Sequence, residues 1–200
     1  MVGILALQGG FASHAAVFAA LGESTREVRR AGDLDGCDRL VIPGGESTVL
    51  TKLLAAGDGP ALRGALSAFA RGKPVMGTCA GLIMLALPSD DARVEPFGAL
   101  PVRVDRNAWG RQTESFRGQV RMELGDARDD GGGIPDGEPY LATFIRAPRI
   151  SDVGEGARVL ARLDSGEPVM VRSRNVLGLT FHPELTPDDT RIHRYFLSMN

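Results

Sequence analysis

Short apolar runs alternate with helical patterns through residues 1–87, and that rhythm leaves few folds open. Val2 to Leu7 is apolar and stops at Gln8-Gly9-Gly10. Ala15 to Leu21 follows as an alanine-rich helix that Gly22 closes. Arg26 to Arg29 reads as a short strand, and Arg39 to Ile42 as another that ends at Pro43-Gly44-Gly45. Thr48 to Ala56 and Ala61 to Arg71 read as helices. Pro74 to Thr78 then leads into a helical stretch from Cys79 to Leu87. Strand, turn, helix, strand is the pattern of a parallel sheet covered by helices.

The second half changes period. Val102 to Asp105, Phe116 to Met122, Leu141 to Ile145, Val159 to Leu163, Val169 to Arg172 and Val176 to Thr180 all read as strands. Turns as short as Ser165-Gly166 and Arg174-Asn175 join several of them, so they extend the same sheet system in antiparallel fashion. Thr190 to Met199 is an amphipathic helix with Ile192, Tyr195, Phe196 and Met199 on one side. Gly125 to Gly137 is acidic and glycine-rich and reads as an exposed loop. No stretch resembles an interdomain linker, so residues 1–200 are expected to form one α/β domain.

Charge and cysteine content exclude whole classes. With 23 basic against 25 acidic residues the net charge is −2, which supports neither nucleic-acid nor polybasic membrane binding. The apolar stretch Ala80 to Leu87 falls far short of the ~20 residues a membrane span needs, and the N-terminus has no basic leader. Two cysteines cannot build a disulfide framework, so the expected compartment is the cytoplasm. There is no C-x-x-C, no H-x-x-x-H, no P-loop spacing and no G-x-G-x-x-G, so neither metal nor cofactor is expected.

Gly77-Thr78-Cys79-Ala80-Gly81 follows a strand and opens a helix. Its G-x-C-x-G form matches a nucleophile elbow, in which flanking glycines permit a strained central residue in a tight turn. Such a turn presents Cys79 at the carboxyl end of the sheet, with the Ala80 N–H as an oxyanion donor. The competing reading is a small buried hydrophobe, the commoner fate of a cysteine. Cys37, between Gly36 and Asp38 and near Asp35, reads as structural. Among three histidines, His182 stands out in Phe181-His182-Pro183-Glu184. In an extended segment residues i and i+2 share a side, so Glu184 can orient His182. His14 and His193 fall in helical patterns and read as surface or packing residues. Pro43-Gly44-Gly45-Glu46-Ser47-Thr48 is either a plain turn or a loop that aims backbone N–H groups into a site, with Ser47 or Thr48 as a helix cap.

Together these motifs resemble the class I (triad) glutamine amidotransferases. Within them the chain is most similar to the family of glutaminase subunits of pyridoxal 5′-phosphate synthases. The narrower likeness lies in Leu5-Ala6-Leu7-Gln8-Gly9, the run Arg106 to Gln112, Phe144-Ile145-Arg146-Ala147-Pro148, Phe181 to Thr186 and the run Asp189 to Phe196. The resemblance implies a three-layer, flavodoxin-like open mixed sheet flanked by helices with an antiparallel extension. It implies Cys79, His182 and Glu184 as the catalytic triad and Gly45 and Ala80 as oxyanion donors. It implies that Gly45, Glu46, Ser47, Arg106, Ile145 and Arg146 bind L-glutamine. It further implies a lyase-type synthase subunit as partner, in a large hetero-oligomer that passes ammonia between sites. The other readings are a glutaminase serving a different synthase, such as the histidine-pathway cyclase, or a catalytically idle regulatory module. Pro88 to Leu100 and Asp126 to Glu138 depart from the family pattern and contain no residue assigned to chemistry.

Overall fold

In the computed structural model, residues 1–89, 91–106, 115–123 and 139–200 are described. In chain order the elements begin β1 (Val2–Leu5), α1 (Phe11–Ala20), β2 (Thr25–Val28) and β3 (Arg39–Ile42). Next come α2 (Ser47–Ala55), α3 (Gly59–Gly72), β4 (Val75–Thr78) and α4 (Ala80–Leu85). The second half supplies β5 (Val102–Asp105), β6 (Phe116–Met122), β7 (Pro139–Phe144), β8 (Arg149–Val153), β9 (Arg158–Leu163), β10 (Pro168–Ser173), β11 (Val176–Leu179) and α5 (Arg191–Ser198).

The main sheet runs β2-β1-β3-β4-β11-β10-β9-β6-β7. Its first five strands are parallel, and from β11 onward each neighbour is antiparallel. A doubly wound core with an antiparallel extension is therefore present, as expected, but β5 lies outside it in a separate pair with β8, and β11, read as part of the extension, pairs parallel with β4. Alternation along each strand divides the core between two faces. Val41 faces a cluster with Phe18, Ile192 and Phe196, beneath α1 and α5. Leu40 and Ile42 face the opposite cluster with Leu50, Leu62, Leu66 and Leu82, beneath α2, α3 and α4. The small β5–β8 pair adds Val102, Val104 and Ile150 to that second cluster.

Three boundaries differ from the sequence reading. Helix α1 starts at Phe11 rather than Ala15, because Gly9 at φ +90° turns the chain and Gly10 stands at the helix start. Strand β8 was not expected; Arg149–Val153 exposes three of its five residues and carries little apolar alternation. The chain after β11 is not extended: Pro183–Leu185 makes one turn of 3-10 helix. The glycine-rich stretch 125–137 expected as a loop, Asp126 to Glu138 included, and residues 107–112 of the Arg106-to-Gln112 run lie outside the described residues, as does Asp90.

Candidate active site

Four loops leave the carboxyl ends of β1, β3, β4 and β11 and meet beside one another. The β4–α4 turn carries Cys79 at φ 50°, ψ −104°, a conformation that L-residues adopt under strain. Two bonds hold it there: the Cys79 N–H donates to Leu179 O at 2.8 Å and the Ile83 N–H donates to Cys79 O at 3.2 Å. The flanking glycines are sterically required. A Cβ on Gly81 would collide with the Ile42 carbonyl, and one on Gly77 would meet the Gly81 carbonyl and Leu85. Cys79 is thus the elbow residue the motif predicts, and it is only 6 % exposed.

His182 and Glu184 follow β11. Their proximity arises from the 3-10 turn at Pro183, not from the alternation of an extended strand. His182 Nδ1 stands 2.7 Å from Glu184 Oε1. The His182 N–H donates to Thr143 O at 2.9 Å, which ties the segment to β7. Burial opposes charge on the imidazole, yet contact with the Cys79 and Glu184 side chains outweighs it and pushes the His182 pKa up to about 10. Burial likewise opposes charge on Glu184. The bond to His182 overcomes it and holds the carboxyl below its ordinary value.

The β3–α2 loop closes the third side. A Cβ on Gly44 would overlap the His182 ring and come within 3.3 Å of Cys79 Cβ, so bare backbone packs against both side chains together. A Cβ on Gly45 would overlap the Gln8 carboxamide, whose Oε1 accepts from the Glu46 N–H at 3.0 Å. Gln8 therefore fastens this loop, a role the sequence reading did not give it. Among the described residues, the N–H groups of Gly45 and Ala80 have no hydrogen-bond partner. Neither Ser47 nor Thr48 caps α2. Glu46 does so, its Oε1 accepting from the Thr48 N–H at 3.2 Å and from Thr48 Oγ1 at 2.9 Å. Ser47 is the buried first residue of the helix.

The remaining predicted residues lie around this centre. Ile145 O is 3.8 Å from Cys79 Sγ, and Arg146 follows at φ 43°. Arg106 reaches Glu46 Oε1 at 3.3 Å; burial opposes charge on the Glu46 carboxyl, but its bonds to Thr48, joined by Arg106 and Arg146, hold it below its ordinary value. Asp91 accepts from Arg106 Nη1 at 2.7 Å. The stretch Pro88 to Leu100 thus does hold a residue that touches the site. Hydrogen bonds from Arg93, joined by the charge of Arg106, keep the Asp91 carboxyl well below the usual carboxylate range. Cys37 is wholly buried at the other end of the sheet, its thiol pushed up by burial first and by Asp38 only last. His14 and His193 are not on the surface; both are wholly buried.

Residues 4–200 match the SNO glutamine amidotransferase family. The chain is 45 % identical over 201 residues to pyridoxal 5′-phosphate synthase subunit PdxT of Corynebacterium jeikeium, covering 100 % of this chain and 96 % of that one. It is 47 % identical over 206 residues to the PdxT subunit of Cutibacterium acnes, covering 98 % and 95 %. A crystal structure titled glutamine amidotransferase superposes with a TM-score of 0.81 at 39 % identity, covering 98 % of this chain and 96 % of that one. The structure of PurLQS from Thermotoga maritima shares the fold, with a TM-score of 0.70 at 16 % identity over 99 % and 96 % of the two chains. No helix among the described residues is long and apolar enough to cross a membrane.

Proposed function

We propose, from the premise that this chain belongs to the SNO glutamine amidotransferase family, that Cys79, His182 and Glu184 are the catalytic triad of a glutaminase. The chain is the glutamine-hydrolysing subunit of a pyridoxal 5′-phosphate synthase. One observation carries the triad: a cysteine at φ 50° shares the Gly44 backbone with an imidazole held 2.7 Å from a buried carboxylate.

Cys79 Sγ attacks the side-chain amide carbon of glutamine while His182 takes the thiol proton. The N–H groups of Gly45 and Ala80 hold the oxyanion of the tetrahedral adduct. His182 gives its proton to the nitrogen, the C–N bond breaks, and ammonia leaves a glutamyl thioester on Cys79. Water then attacks the thioester, His182 takes its proton and returns it to the departing sulfur, and glutamate is released. Glu184 keeps the imidazole aligned and stabilises its charged form, consistent with the high pKa of His182. Arg106 and Arg146 suit the α-carboxylate of the substrate and Glu46 its α-ammonium, with Gly45, Ser47 and Ile145 completing the pocket.

Free ammonia is protonated and lost in water, so the product must pass directly to an acceptor site. We assign residues 1–200 to a single glutaminase unit that docks on a lyase-type synthase subunit within a large hetero-oligomer. Both cysteines are free thiols, which fits the cytoplasm. The test is glutamate release from glutamine by the purified chain, with and without the synthase subunit. Strong stimulation by the synthase is expected. No stimulation, with a synthase shown competent on ammonium salts, would move the chain to another acceptor or to an idle regulatory role.

A further inference from the structure

His14 on α1 and His193 on α5 lie beneath the triad and have no part in the reaction as derived above. His14 Nδ1 is 3.1 Å from His193 Nε2. His14 Nε2 is 3.2 Å from Glu184 Oε2 and 3.3 Å from Thr78 Oγ1. The hydrogen bond of His14 Nε2 is directed to Thr78 Oγ1, and Glu184 Oε2, which has no hydrogen bond of its own among the described residues, is the other acceptor within reach of that nitrogen. His193 Nδ1 has no partner among the described residues, and the Phe18 ring packs edge-on against His193 at 5.1 Å.

Burial keeps both rings neutral. It pulls His14 below its ordinary value, with Glu184 opposing and His182 assisting, and it pulls His193 down to about 3. A neutral imidazole carries one N–H, so a single hydrogen lies between the two facing rings. Were it on His14 Nδ1, the bare His14 Nε2 would face Glu184 Oε2, and a buried carboxylate oxygen would be left without a donor. The other arrangement places the hydrogens on His14 Nε2 and His193 Nε2. His14 Nδ1 then accepts from His193, and only the acceptor His193 Nδ1 is bare, in keeping with its lack of a partner.

We propose that His14 is a positioning residue of the triad, a neutral imidazole whose Nε2–H is shared between Thr78 Oγ1 and the second oxygen of Glu184 while His193 fixes its tautomer. This rests on the glutaminase reading. The carboxylate then faces an imidazole nitrogen on each side, His182 at Oε1 and His14 at Oε2. It cannot turn away from His182 as that ring gains and loses its proton. The chain runs across α5, α1 and the 3-10 turn, so the geometry of the triad depends on the packing of two helices.

The experiment is nitrogen-15 spectroscopy of the full chain labelled at histidine, where three imidazoles report. His14 and His193 are expected to show a protonated Nε2 and a bare Nδ1 at neutral pH. A proton on His14 Nδ1, or a doubly protonated His14 or His193 ring at neutral pH, overturns the assignment. Turnover with the synthase subunit supplies a second arm. His14→Leu is expected to lower kcat about tenfold, the scale of losing one hydrogen bond to a charged group, with KM unchanged. His14→Gln, which still offers an N–H, is expected to recover most of that loss. Equal turnover of His14→Leu and wild type, or equally low turnover of both variants with intact circular dichroism, also overturns it. If wild type with synthase releases no glutamate, the glutaminase reading fails, while the tautomer spectrum still decides the role of His14.

Discussion

The two edges of the parallel sheet treat their polar groups in opposite ways. At the amino edge pairing is close to complete. The N-terminal ammonium meets Asp38 at 2.7 Å, Lys73 Nζ donates to Cys37 O at 2.6 Å, and Asn175 Nδ2 donates to Ala70 O at 2.9 Å. Arg39 leaves only its Nε unpaired there while its other two nitrogens donate to Leu197 O and Met199 O. At the carboxyl edge Gln8 Nε2, His182 Nε2 and His193 Nδ1 are buried without a hydrogen bond, and Cys79 sits at a strained φ. An unsatisfied buried polar group costs roughly 1–3 kcal/mol, and a strained backbone residue about the same. The fold tolerates these costs at the edge where free nitrogens and an exposed backbone have chemistry to do. A buried cysteine stands at each edge, so burial alone does not single out Cys79 as the proposed nucleophile; backbone placement does.

Exchanging the nucleophile breaks the contrast most sharply. Cys79→Ala is expected to abolish glutamine hydrolysis and leave circular dichroism unchanged. Alkylation followed by mass spectrometry should label Cys79 in wild type and leave Cys37 unlabelled, because burial keeps the Cys37 thiol protonated. Labelling of Cys37 first would erase the distinction between the edges. Next in size is Gly44→Ala. Its Cβ would overlap the His182 ring, and a displacement of about 1 Å at a reacting group costs on the order of a hundredfold in rate. Turnover near wild type would mean that the loop yields freely and does not set the position of the base.

Stability against pH separates the buried groups by sign. The folded-state pKa of His182 is raised to about 10, so its contribution is full below the unfolded value near 6.5 and fades as pH rises towards 10. His193 is the reverse: with its pKa lowered to about 3, stability present above about 6.5 is lost as pH falls. Thermal unfolding followed across pH should therefore decline on both sides. His193→Leu should flatten the acid side and leave the alkaline side as it was. An unchanged acid side would place the acid-sensitive group elsewhere.

What the sequence made legible was local. Glycine turns that close apolar runs located the parallel strands, and the elbow glycines located Cys79, because both are dictated within a few residues. The pairing of His182 with Glu184 was legible while its geometry was not, since Pro183 opens a 3-10 turn where alternation suggested a strand. The histidine pair was illegible for a different reason. His14 meets His193 across 179 residues and Thr78 across 64, and helical periodicity says only that such side chains share a face. Asp91 was hidden by the same non-locality, through its bond to Arg106.

The smallest expected effect tests whether the amino edge is as passive as its nearly complete pairing suggests. A Cβ on Gly3 would lie 3.1 Å from Cys37 Sγ and 3.2 Å from Val28 Cγ2, so Gly3→Ala overpacks this corner. Cys37→Ala removes the buried sulfur and should cost about 1 kcal/mol. Combining the two should cost less than their sum, because the methyl group enters space the sulfur vacates. The repair is partial, since the Val28 contact persists. A double-mutant cycle from denaturant unfolding should give a favourable coupling of about 0.5–1 kcal/mol, with kcat unchanged in all three variants. Strict additivity would show that the corner relaxes without cost. A change in kcat would be the more instructive result, because it would mean that packing at the satisfied edge reaches the strained one through the strands between them.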